Sequence, residues 1–486
     1  MDFLLSSNLI VGFILIQPIL DLVTSLAVRN MELPITLGLV IRSLFMVYLC
    51  IYVLVTKSNN NKLIKYSKIA LSMILIYITF FLVFIIFSKD RSLILIEVKG
   101  IIKSFYFPIV LCGLFVYNQK DKINISNKLL VLTLMIYTST IFIATVTNTY
   151  FNSYNSNGYG SVGWFYAANE IGSIMAILIP FTISSLVNDT ERLLNTLACA
   201  ICIASTMFLG TKVPFLALGG TTVFIIIYYI ILNIYNKFSS YYKRDFNLKR
   251  IILMMSTILI SMILIFPFSP LYKNIQRNYG DIIQRIVNNI SHNKVDQNTQ
   301  IEDKDNLDPV SKDEIVTAVL SKRTIYADII KQKFNNSSWI DKLFGIGYNV
   351  EIRDEIYAKK TIDSKQLELL QKLGFIVEIN DEVYTQKTIE LDQLDILYRH
   401  GILGFTVYFA QFLAIIILIA KQIIFKSKYL LNLDIVICII DIVLALGIAF
   451  TAGHILTAPA VGFFLITSTI KLYNEIFNKV VYIIKG

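Results

Sequence analysis

The sequence predicts an all-α polytopic membrane protein with about twelve transmembrane helices and one large, mainly helical external loop. Three observations predict it. Hydrophobic residues make up 55% of the 486 and charged residues only 16%, where a soluble chain carries about a quarter charged. The apolar residues fall in blocks of about twenty, enough to cross ~30 Å of hydrocarbon. One long polar stretch, 269–399, interrupts them late in the chain.

The blocks place helices at 8–27, 34–55, 68–88, 93–117, 128–147, 167–187, 193–210, 213–233, 250–268, 400–424, 431–452 and 454–472. The fourth is the least apolar, because Glu97, Lys99 and Lys103 lie in its first half. The break between the last two is the least distinct. The organisation is therefore 1–268 with nine helices, 269–399 as the external loop, and 400–486 with three more helices and a cytoplasmic tail. The first block has no small-residue cleavage site after it and reads as a retained helix.

Basic residues set the orientation. With the N-terminus inside, the inward loops hold Lys57, Lys62, Lys65, Lys68, Lys120, Lys122, Lys128, Lys237, Lys243, Arg244, Lys249, Arg250, Lys421, Lys426 and Lys428. The short outward segments hold only Arg29, Lys89, Arg91 and Lys212. Both termini are expected in the cytoplasm. The formal charge of +10 is thus accounted for by topology, and no nucleic-acid partner is expected. The outward stretch 147–168 is uncharged and rich in Asn, Tyr, Ser and Gly, which suits contact with sugar or a flexible loop.

Inside 269–399, residues 271–290 and 314–334 show helical spacing, 291–313 is polar, 364–373 is a short helix candidate and 374–384 alternates as a hairpin would. All five cysteines lie in apolar blocks. Cys199 and Cys202 form a CxxC without polar surroundings, and read as small buried residues.

Ionisable groups in hydrocarbon line polar interiors. The candidates are Asp21, Arg42, Glu97, Lys99, Lys103, Glu170, Lys212, Asp434, Asp441 and His454, with Asn169 beside them. Arg42 is the natural partner of Asp21, either as a pair that fixes helix packing or as part of a site. Lys212 lies in a tight hairpin, Gly210-Thr211-Lys212, where a cation can meet a lipid phosphate or simply snorkel.

Several local patterns occur in a telling order. They are Gly163-Trp164-Phe165-Tyr166-Ala167-Ala168-Asn169-Glu170-Ile171-Gly172, then Gly210-Thr211-Lys212, then Ser321-Lys322-Arg323-Thr324-Ile325-Tyr326. Gly345-Ile346-Gly347-Tyr348 and the acidic Glu390-Leu391-Asp392-Gln393-Leu394-Asp395 follow, leading to Gly401-Ile402-Leu403-Gly404. In this order the sequence resembles the O-antigen polymerase and O-antigen ligase superfamily, the Wzy-type polymerase most of all. Ligases of that group usually carry a His-x-His-Asn-like element shortly before the position of Gly401. Here that region reads Thr388-Ile389-Glu390-Leu391, and His400 comes too late to replace it directly.

The resemblance implies a multi-pass enzyme of the bacterial inner or plasma membrane. It would join undecaprenyl-diphosphate-linked repeat units into O-antigen or capsule on the outer face. Its partners would be the lipid-linked glycan donor and acceptor, membrane lipid, a chain-length regulator and a flippase. A diphosphate leaving group needs fixed cations rather than a metal. Arg323 is the first candidate, with Lys212, Arg277, Arg285, Asn169 and Arg42 as further substrate contacts. Arg277 and Arg285 serve equally well as a solvated helix face. The acceptor hydroxyl needs a carboxylate, and Asp392 or Glu390 is expected to supply it, unless these only cap the following helix. No HExxH spacing appears, so neither metal nor cofactor is expected. The alternatives are an O-antigen-type ligase and a lipid-linked oligosaccharide flippase or transporter.

Overall fold

The structure is a computed structural model. It describes residues 7–31, 36–58, 61–88, 94–154, 159–188, 191–238, 246–277, 331–332, 334–348, 353–357, 376–379, 382–386 and 391–477. Nine long helices come first: α1 (Ser7–Met31), α2 (Leu37–Val55), α3 (Lys62–Ser88), α4 (Ile94–Lys120), α5 (Asn127–Val146), α6 (Ala168–Val187), α7 (Arg192–Leu209), α8 (Lys212–Phe238) and α9 (Leu248–Ile265). Between α5 and α6 lies a two-stranded ladder, β1 (Phe151–Asn152) and β2 (Ser161–Gly163). After α9 come the short α10 (Trp339–Phe344), strands β3 (Arg353–Tyr357), β4 (Ile376–Ile379) and β5 (Glu382–Gln386), then α11 (Asp392–Phe425), α12 (Leu433–Thr451) and α13 (Pro459–Phe477).

Helix starts follow the side chains at their N-caps. Thr36 Oγ1 accepts from Leu39 N, Ser126 Oγ from Leu129 N and Asn247 Oδ1 from Arg250 N. Among the described residues, eleven helices are long and apolar enough to cross a membrane. The chain is an all-α polytopic membrane protein. The twelfth long helix, α13, carries Lys471 and Glu475 and is buried along nearly its whole length. It tolerates these charges because Lys471 Nζ donates to the Ile125 carbonyl at 2.9 Å and lies 4.0 Å from Glu475. The helices α4, α6 and α13 form the centre of the bundle, while α9 lies at its edge.

The expected helices match the observed ones to within a few residues at most ends. The main difference is α11, which starts at Asp392 rather than at 400. The hairpin expected at 374–384 is present as β4 and β5. A third strand, β3, pairs with the other edge of β5. Residues 270–277 are helical, in line with the first amphipathic stretch of the loop. The expected helix at 364–373 and the stretches 278–330 lie outside the described residues. All five cysteines are unpaired thiols, four of them fully buried.

Because successive helices run antiparallel, the described loop residues 147–154, 159–167, 210–211, 266–277, 334–348 and 452–458 gather at one end of the bundle. We call it the loop end.

Candidate functional site

The site is built on a break in α11. Gly401 has φ 65° and ψ −174°, a conformation that glycine adopts without a Cβ penalty. A Cβ there would fall 2.5 Å from Gly345 N. The break lets the loop after α10 dock on α11 as a strand would. Ile346 N donates to the Tyr398 carbonyl (3.2 Å) and Gly347 N to the Arg399 carbonyl (3.0 Å). The Tyr77 hydroxyl, from α3, reaches the carbonyls of His400 (2.7 Å) and Phe344 (3.1 Å) and closes the seam.

Tyr348 ends this docked loop and joins it to α4 and α11. Its backbone N–H donates to both carboxylate oxygens of Glu97 on α4, at 2.9 Å each. Its hydroxyl bonds Ser104 Oγ, also on α4, and His400 Nε2 at 2.9 Å. Its ring faces the Arg399 guanidinium at 4.6 Å, a cation–π contact. Burial raises the Tyr348 phenol well above its ordinary pKa, so it remains a proton donor at neutral pH. Arg399 Nε donates to Asp395 Oδ1 at 2.5 Å, one turn earlier, and Nη1 lies 3.5 Å from the Gly347 carbonyl. Glu97, a weak point in the fourth apolar block, is therefore buried with its acceptors used. Tyr348→Phe is expected to cost about 1–2 kcal/mol, because Ser104 and His400 each lose a buried partner. Thermal unfolding of the detergent-solubilised protein measures it.

Asp392 opens α11 and is 1% exposed. Its Oδ1 accepts from His454 N (3.0 Å) and Thr457 Oγ1 (2.8 Å), and its Oδ2 from Ile455 N and Leu456 N (2.8 Å each). A carboxylate offers about four lone-pair positions, and four donors fill them. The carboxylate therefore anchors the loop before α13. It also places a negative charge in the first turn of α11, as the capping alternative expects. Glu390 lies outside the described residues.

The Gly210-Thr211-Lys212 hairpin is held from two sides. Gly210 is left-handed (φ 72°), and its carbonyl accepts from Asn274 Nδ2 at 3.0 Å. The same amide grips Tyr159, donating to its carbonyl at 2.6 Å and accepting from its N–H at 2.8 Å. Lys212 begins α8 there, half-buried. Lys273 lies 5.4 Å from the Tyr159 ring, and Arg277 is exposed at the end of the same helical turns. Nearby, Arg29 rests on the rings of Phe151 (4.1 Å) and Tyr166 (5.2 Å) and donates to the Tyr166 carbonyl. The loop end thus carries cations interleaved with exposed tyrosines. Asn169 is exposed in the first turn of α6.

The expected partnership of Arg42 with Asp21 is present. Arg42 Nη2 donates to Asp21 Oδ1 at 2.6 Å, its Nε to Gln17 Oε1 at 2.9 Å, and the Tyr137 hydroxyl donates to Asp21 Oδ2 at 2.6 Å. The pair ties α1, α2 and α5 together. Arg323 and Arg285 lie outside the described residues. Among the described residues no three His, Cys, Asp or Glu side chains gather as metal ligands would.

Two residues at the loop end carry more than the sequence suggested. Arg399 was signalled only by its i,i+4 spacing from Asp395, a common surface pair. Tyr348 was visible only as the residue after a Gly-x-Gly.

No curated protein and no solved structure matches the chain. A family model described as O-antigen ligase like membrane protein matches residues 5–377 and 355–476. That match runs through the helices, the docked Gly345–Tyr348 loop and the α11 break, and the chain belongs to the family of O-antigen ligase like membrane proteins.

Proposed function

We propose that this protein is a membrane enzyme of polysaccharide assembly, and specifically a polymerase. It joins undecaprenyl-diphosphate-linked repeat units into O-antigen or capsule at the loop end, which faces out of the cytoplasm of a bacterial cell. Both termini are then cytoplasmic. Family membership supports the broader reading. The observation that favours polymerase over ligase is His400. It is the histidine nearest the position where ligases of this group carry theirs. It is 0% exposed, boxed by Tyr77, Phe81, Phe105 and Tyr348, with Nε2 on the Tyr348 hydroxyl. A histidine so enclosed does not meet an acceptor sugar.

In the reaction, an acceptor hydroxyl attacks the anomeric carbon of the donor glycan. The bond from that carbon to the diphosphate breaks, undecaprenyl diphosphate leaves, and the hydroxyl proton passes to a carboxylate. Arg323 takes the developing diphosphate charge, because a guanidinium fork binds two oxygens together. Lys212 adds charge from its rigid hairpin, and Arg277 and Arg285 are further candidate contacts. Glu390 takes the proton, since the oxygens of Asp392 are occupied. The exposed Tyr154, Tyr159 and Tyr166 offer ring faces to the glycan.

The test is the size distribution of surface and lipid-linked glycan in cells lacking the protein. Loss of long chains with single repeat units retained is the expected result. Long chains stranded on the lipid carrier would mean a ligase. One residue favours that second reading: His454, half-buried in a left-handed turn (φ 63°) whose backbone N–H is held by Asp392. Within the polymerase reading, Arg323→Ala should abolish long chains at an unchanged protein level, and Arg323→Lys should be largely defective. Full activity in the alanine variant would remove Arg323 from the site.

A further inference from the structure

Asp441 stands near the middle of α12, eight residues from its start at Leu433, or about 12 Å at ~1.5 Å per residue. It is 0% exposed, and neither of its carboxylate oxygens has a hydrogen-bond partner among the described residues. The polar side chain that faces it is Ser468 of α13. Of the acidic groups inside the bundle, Asp21 has Arg42, Asp395 has Arg399 and Glu475 has Lys471. Among the described residues no cation pairs with Asp441.

Asp441 ends a polar seam. Asp434, Cys438 and Asp441 recur at i, i+4 and i+7, on one face of α12. Ser468, Lys471 and Glu475 recur at i, i+3 and i+7 on α13. The two helices pack on each other and are joined by the loop 452–458, so they run antiparallel. The rows then meet as Asp434 with Glu475, Cys438 with Lys471 and Asp441 with Ser468. The electrostatics agree, since Cys438 feels Lys471, Asp441, Asp434 and Glu475 together. At the end of the bundle opposite the loop end, Asp434 is half-buried and its Oδ1 accepts from Asn127 Nδ2 at 2.9 Å. From there the seam is polar as far as Asp441 and then stops. Toward the loop end the buried residues of α12 are Ile442, Ala445, Ile448 and Ala449, and residues 460–466 of α13 are all apolar.

The other elements packed on α12 bring Asp441 no counter-charge. Helix α6 has no ionisable side chain after Glu170, α8 has only tyrosines between Lys212 and Lys237, and α11 has only Tyr408 between His400 and Lys421. The turn 427–431 holds Lys428 and Tyr429 before α12 begins. Lys471 Nζ, one turn along α13 from Ser468, is spent on the Ile125 carbonyl at 2.9 Å. An ionised carboxylate enclosed in hydrocarbon without a partner costs several kcal/mol, and such a group takes up a proton instead. A bare metal ion would need several oxygen ligands, and the seam offers Asp441 one hydroxyl. We infer that Asp441 is a proton-binding site in the middle of the bundle, and that its proton exchanges along the α12–α13 seam with the end opposite the loop end.

The experiment is infrared spectroscopy of the full-length protein in phosphatidylcholine nanodiscs at neutral pH. The wild type should show the C=O stretch of a protonated carboxylic acid that is missing in Asp441→Asn. If the asparagine variant fails to fold, Asp441→Glu keeps an acid at the position. A heavy-carbon label on the aspartate carboxyl should then shift the band in the wild type and leave it unshifted in the glutamate variant. A carboxylate band lost in place of the acid band would overturn the proton site. The direction of exchange is read from the rate at which the acid band shifts after transfer into deuterated buffer. Asp434→Asn with Glu475→Gln removes the ionisable groups of the seam and should slow that exchange about tenfold or more. Ala449→Leu narrows the other side and should leave the rate within about twofold of wild type. Exchange slowed by the leucine variant and untouched by the seam variant would mean that Asp441 is reached from the loop end, and the seam would fall.

Discussion

Asp392→Ala should destabilise the protein by about 3 kcal/mol or more, because three buried backbone N–H groups and one hydroxyl lose their acceptor together. The carboxylate receives His454, Ile455, Leu456 and Thr457, and it is what joins the start of α11 to the entry of α13. Without it the loop 452–458 is left on that side with the Tyr408 hydroxyl on the Leu456 carbonyl (2.9 Å), and α13, at the centre of the bundle, loses much of the anchor of its first turn. Asp392→Asn separates this role from a chemical one. The amide keeps the shape but replaces one acceptor oxygen by a donor that faces other donors. An anchor predicts that protein level, thermal stability and polymer fall together in the asparagine variant. A base predicts normal stability with no polymer. Thermal unfolding in detergent alongside glycan length decides between them.

The parts of the fold that could be read from the sequence were those encoded locally. Blocks of apolar residues marked the helices because hydrocarbon thickness sets their length. The Asp21–Arg42 pair was legible because two opposite charges on neighbouring helices near one end have few other ways to be satisfied. The β4–β5 hairpin was legible from the alternation over 374–384. The beginning of α11 was not. Residues 392–399 are too polar to read as a span, and they are helical because Asp392 binds a loop 62 to 65 residues away. The Glu97–Tyr348 contact joins positions 251 apart. No periodicity encodes such a contact, so Glu97 read only as a flaw in the fourth block. The lysines at 99 and 103 stood out as charges, but their direction depends on which helices surround α4.

Arg399→Ala should cost about 3–5 kcal/mol, since it strands the Asp395 carboxylate in a buried site. Both side chains of this pair are nearly closed to solvent, 7% and 10% exposed. Arg399→Lys should recover only part of the loss. An ammonium can reach Asp395, but it cannot also donate toward the Gly347 carbonyl and lay a flat cation on the Tyr348 ring. The informative variant is the double one, Asp395→Leu with Arg399→Met. Replacing a buried ion pair by apolar side chains of similar size is often nearly neutral for stability, so the double variant should fold to within about 1–2 kcal/mol of the wild type. It still removes the cation from the Tyr348 ring and the donor from Gly347, and with them part of the grip on the loop that follows α10. Long-chain polymer is therefore expected to stay low in a protein that is stable. If polymer returns with stability, the Asp395–Arg399 pair only holds the helix together, and Glu97 and His400 suffice to position Tyr348. If stability returns alone, the docking of Gly345–Tyr348 onto the α11 break is part of what the enzyme needs at its loop end.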